Sequence, residues 1–142
     1  MMKARLMMLL LTLAVLVPSL IFAKVYITID SPGMKRFPIA IPEFTDIGDK
    51  PDTQGYARRI LQVIEKDLDL SGLFQVIDPK AYLEKAGGLK REEINFQDWS
   101  SIGAEGLVKG GYAVKAREVK VDLRVYDVIQ GLQISGKSFI GI

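Results

Sequence analysis

Residues 57–77 read ARRILQVIEKDLDLSGLFQVI, and the architecture unfolds from that stretch. Ala57, Ile60, Leu61, Ile64 and Leu68 recur at helical spacing, with Arg58, Arg59, Glu65 and Lys66 on the other side. Asp52 or Thr53 supplies the expected N-cap, and Gly72 the left-handed stop. Leu73 to Ile77 then reads as a short apolar strand. Upstream, Phe37 to Phe44 is a nearly continuous apolar run around Ile39, Ala40 and Ile41, the pattern of a strand covered on both faces. Pro38 and Pro42 limit its pairing to a few residues. Strand, helix, strand in this order predicts a right-handed crossover between parallel strands.

Downstream, Asp78-Pro79 opens a short helix carrying Ala81, Tyr82 and Leu83, and Gly87-Gly88 ends it. Phe96 to Ile102 reads as one or two helical turns with Trp99 turned inward. The remainder changes character: residues 104–115, 118–128 and 132–140 are strand-like. Val119, Val121, Leu123 and Val125 alternate against Lys120, Asp122 and Arg124, and Gln130-Gly131 supplies a turn. The expected fold is α/β, a mixed sheet of about five strands with packed helices, parallel in its first half and a meander in its second. There is no internal repeat and no low-complexity stretch.

The start of the chain has a different purpose. Lys3 and Arg5 precede an apolar run from Leu6 to Val17, broken by Pro18-Ser19 and closed by Ala23. A basic head, a short apolar segment and a small residue predict a cleavable secretory signal over residues 1–23, with the domain running over 24–142. Removing 1–23 takes two of the 19 basic residues and none of the 17 acidic ones, leaving 17 against 17. A neutral domain has no basic excess with which to hold a nucleic-acid backbone. Export without cysteine means folding without disulfides and no thiol for a lipid anchor. Because the chain contains neither histidine nor cysteine, histidine-based triads, thiol nucleophiles, and haem and iron–sulfur ligation are excluded. The same absence argues against a zinc site, so neither a cofactor nor a metal is expected.

Gly131-Leu-Gln-Ile-Ser-Gly-Lys-Ser138 matches the P-loop string, but a P-loop needs a strand before it and a helix N-terminus after it. Leu132 and Ile134 alternate like a strand and Ser138 to Ile142 stays β-like, so Lys137 is expected on a hairpin strand in solvent. Asp67 and Asp69 diverge on a helix, and a solvated face is expected of them. Asp122 and Asp127 have no cation that the sequence identifies, and Ser100 and Ser101 have no histidine to activate them. No constellation here supports catalysis, and the chain is read as not an enzyme. Lys24-Val-Tyr-Ile-Thr-Ile-Asp30 alternates Val25, Ile27 and Ile29 against Tyr26 and Thr28 before Ser31-Pro32-Gly33 breaks it. Such a terminal strand can pair with its own sheet or add to a partner's edge.

Several segments together resemble the amino-terminal domain of the TolB family of the Tol-Pal system. They are Phe37-Pro-Ile-Ala-Ile-Pro-Glu-Phe44, Asp67-Leu-Asp-Leu-Ser-Gly-Leu-Phe74, Val76-Ile-Asp-Pro79, Ile94 to Gly110 and Val121-Asp-Leu-Arg-Val-Tyr-Asp-Val128. The resemblance covers essentially all of Lys24 to Ile142. It implies an α/β fold like that of anticodon-binding domains, a periplasmic location, and a six-bladed β-propeller following. It also implies a closing helix after the last strand, so a chain ending at Ile142 is expected to be a fragment. For function it implies binding: Lys24, Val25, Tyr26, Ile27, Thr28, Ile29 and Asp30 to the C-terminal domain of TolA, and the absent propeller to Pal. The resulting system would maintain outer-membrane integrity, invagination during cell division and protein import. The alternative is an exported small-ligand-binding α/β domain, its site in the loop Asp46 to Asp52 at a strand's carboxyl end.

Overall fold

A computed structural model describes residues 35–49, 51–84 and 87–141. Phe37–Ala40 forms β1, Thr45–Asp46 β2, Tyr56–Ser71 α1, Phe74–Val76 β3, Phe96–Ser101 α2, Gly106–Lys115 β4, Glu118–Asp127 β5 and Leu132–Gly141 β6. Two 3-10 turns, Pro79–Ala81 and Arg91–Glu93, lie between β3 and α2. One sheet runs in the order β3-β1-β4-β5-β6, with β2 beside β4. β1 is parallel to both β3 and β4, while β4, β5 and β6 form an antiparallel meander. The expected α/β class and its parallel and antiparallel halves are therefore present. The strand count is six: the apolar run 37–44 is strand only over Phe37–Ala40, and a further two-residue strand forms just after it at Thr45–Asp46. β1 and β2 share one edge of β4, and Pro42, which has no N–H, lies in the gap.

That gap is closed by a side chain. The Tyr82 hydroxyl accepts a hydrogen bond from Ile41 N–H at 2.9 Å and donates to the Ile77 carbonyl at 2.9 Å. The interrupted strand thus keeps its donor satisfied in a buried setting, where an orphaned N–H costs about 1–3 kcal/mol.

The sheet is covered on both faces in its parallel half. Ile39, Ile41, Phe44, Val108 and Tyr112 form one core, against which Ala57, Ile60, Leu61, Ile64 and Leu68 of α1 pack. Ala40, Trp99, Leu107, Tyr126 and Val128 form the other, beneath α2 and its neighbouring turns. Alternation along β1 and β4 sends neighbouring residues to opposite cores, as period two requires. Trp99 is turned inward as expected.

The helix cap differs from expectation. Gly55, at φ 71°, occupies the N-cap of α1, and neither Asp52 nor Thr53 does. Asp52 still serves that end: its carboxylate accepts from Gln54 N–H at 2.9 Å and from Ala57 N–H at 3.1 Å. Only a residue free of Cβ takes the left-handed turn between them cheaply. Gly72, at φ 69°, ends the helix as read.

Candidate interaction surface

Lys24 to Asp30, the segment nominated for partner binding, lies outside the described residues. The described chain starts at Lys35 and enters the sheet at once. Lys35 pairs with Glu105 at 3.2 Å and Arg36 with Asp69 at 3.7 Å, both at the surface. Phe37 N–H donates to the Leu73 carbonyl at 2.8 Å and seats β1 between β3 and β4.

The second nominated place, the loop Asp46 to Asp52, is occupied by its own backbone. Asp46 accepts from Gly48 N–H at 2.9 Å, and Ile47 N–H reaches the Tyr112 carbonyl at 2.8 Å. Asp52 also receives the Tyr112 hydroxyl at 3.3 Å. Burial works to raise the Asp52 pKa, but the N–H groups of Ala57, Gln54 and Gly55 with the Tyr112 hydroxyl hold it below the ordinary carboxylate value. Burial and the charges of Asp52 and Asp46 push the Tyr112 phenol up to about 12. These groups define a cap and a crossing, with carboxylates already spent on the fold.

Of the remaining side chains weighed, Asp67 and Asp69 are exposed as expected, and Asp122, Asp127 and Ser101 bond within the fold. The P-loop string forms the turn at Gly131 and strand β6, with no phosphate-wrapping loop. Asp67 and Asp69 sit in the last turns of α1. Asp122 has a cation after all: Lys120 lies 3.2 Å away on the same strand, and Ser138 donates to its other oxygen. The Ser138 hydrogen bond and then Lys120 hold its pKa below the usual carboxylate value, against a raising effect of burial. Asp127 accepts from Gln130 N–H at 2.8 Å and shapes the β5–β6 turn. Ser101 donates to the Asp98 carbonyl. Among the described residues, no group of three or more acidic side chains is placed to hold a metal ion.

One pair escaped the reading from sequence. The Lys109 side chain is 2% exposed, and its ammonium lies 2.7 Å from Glu84 and 5.6 Å from the centre of the Trp99 ring. The signal was visible as a single cation inside the apolar run Gly106-Leu-Val-Lys-Gly-Gly-Tyr112. Its partner lies 25 residues away, beyond any local pattern.

Two edges of the sheet remain open among the described residues. β3 borders a trough of about 380 Å³ that includes Arg36, Glu65, Asp69 and Asp78. β6 is exposed along its whole length and borders an apolar trough of about 320 Å³ beside α1. No described helix is long and apolar enough to cross a membrane.

Comparison with known proteins places these features in a family. The family model for the TolB amino-terminal domain matches residues 25–134. The Tol-Pal system protein TolB of Syntrophotalea carbinolica is 33% identical over 134 residues, which cover 93% of this chain and 31% of that protein. The Tol-Pal system protein TolB of Paramagnetospirillum magneticum is 38% identical over 115 residues, covering 80% of this chain and 25% of that protein. The chain therefore spans about a quarter to a third of the length of these relatives. Among solved structures, TolB from Acinetobacter baumannii superposes with a TM-score of 0.56 at 23% identity, over 74% of this chain and 23% of that one. The LpoB C-terminal domain from Salmonella enterica gives 0.61 at 9% identity, over 78% of this chain and 87% of that one. Both likenesses speak to fold.

Proposed function

Since the chain belongs to the TolB amino-terminal domain family, we propose that it is a periplasmic interaction module of the Tol-Pal system and not an enzyme. Residues 1–23 act as the export signal, and residues 24–142 are the first domain of a longer polypeptide. Lys24 to Asp30 bind the C-terminal domain of TolA as an added strand. Pal binding belongs to the propeller that follows in the longer protein. Together these contacts couple inner and outer membranes, support outer-membrane integrity and constriction in division, and serve protein import.

The observation that carries this reading is the family match, which begins at Val25 and so includes almost all of the nominated segment. The physics of that segment agrees with it. An alternating heptapeptide ended by Ser31-Pro32-Gly33 supplies main-chain hydrogen bonds for affinity and Val25, Ile27 and Ile29 for register. The small-ligand alternative gains little from the loop 46–52, where the Asp46 and Asp52 carboxylates already serve backbone donors.

Calorimetric titration with the C-terminal domain of TolA tests the proposal. A chain starting at Lys24 is expected to bind, and one starting at Arg36 is not. Equal binding by both would move the contact out of the terminal segment. Heat from neither, with both folded by circular dichroism, would remove the partner.

A further inference from the structure

No further inference is drawn: the strongest candidate, the polar trough of about 420 Å³ between β5 and β6 lined by Lys120, Arg124 and Lys137, lies against the last strand of a chain that spans about a quarter to a third of the length of its relatives, and nothing in the structure shows what covers it.

Discussion

Lys109 is a charge that the fold has removed from water. Such a group is tolerable only while Glu84 stands 2.7 Å away, and the two ends of the pair are not equivalent. Glu84 is 24% exposed and can recover hydration if its partner goes, whereas Lys109 at 2% cannot. Glu84→Gln should therefore cost about 2–3 kcal/mol, and Lys109→Met within about 1 kcal/mol, in urea unfolding of the full chain. Equal costs would mean that the pair acts like a surface contact. Tyr112 makes a second asymmetric case. Its phenol keeps its proton to about 12 in the folded protein and loses it near 10 when unfolded, so its contribution is intact below pH 10 and disappears as pH rises to about 12. Tyr112→Phe should accordingly flatten the alkaline fall in stability over that window. Parallel curves for the two proteins would refute the assignment. Neither effect was legible in sequence, because each depends on a partner from a distant element: Glu84 for Lys109, and Asp52 for Tyr112.

At the scale of elements, periodicity carried most of the fold. The spacing of Ala57, Ile60, Leu61, Ile64 and Leu68 and the alternation of Val119 to Val125 express the repeats of helix and strand, which local geometry enforces. The misreadings occurred where backbone chemistry overrode the pattern. Strand structure along the apolar run stopped at Ala40, ahead of Pro42, and Gly55 took the cap from two better hydrogen-bonding residues. β4 shows the same dependence on close approach. A Cβ added at Gly110 would overlap the Phe44 ring, which packs flush on the strand. Gly110→Ala should destabilise by about 1–3 kcal/mol, since a well-packed core yields only by moving backbone or leaving rotamer minima. Phe44→Leu in the same chain should recover part of that loss, a coupling that a double-mutant cycle in urea reads directly. Strict additivity would place the strain elsewhere. The nominated binding segment was legible only as an alternating pattern with a family likeness, and Lys137 only as a solvated lysine inside a misleading P-loop string.

At the scale of the whole molecule, the sheet of the described residues has two unequal edges, and the sequence after residue 23 has no net charge to keep copies apart. The β3 edge is three residues long and faces Glu65, Asp69 and Asp78, which is protection enough for a short strand. The β6 edge is ten residues long and carries four exposed apolar side chains with Lys137 as its single charge. Edge-to-edge association grows with length and apolarity, and one inserted lysine is a common way to prevent it. If Lys137 guards the edge, Lys137→Val should make the protein self-associate at concentrations where the parent sediments as a monomer. Salt should aid association of the parent, by screening lysine against lysine, and leave the variant nearly unaffected. Lys137→Glu should remain monomeric, because like charge is preserved with opposite sign. A Lys137→Val variant that stayed monomeric would show that the bulge at Ile134 alone disarms the strand.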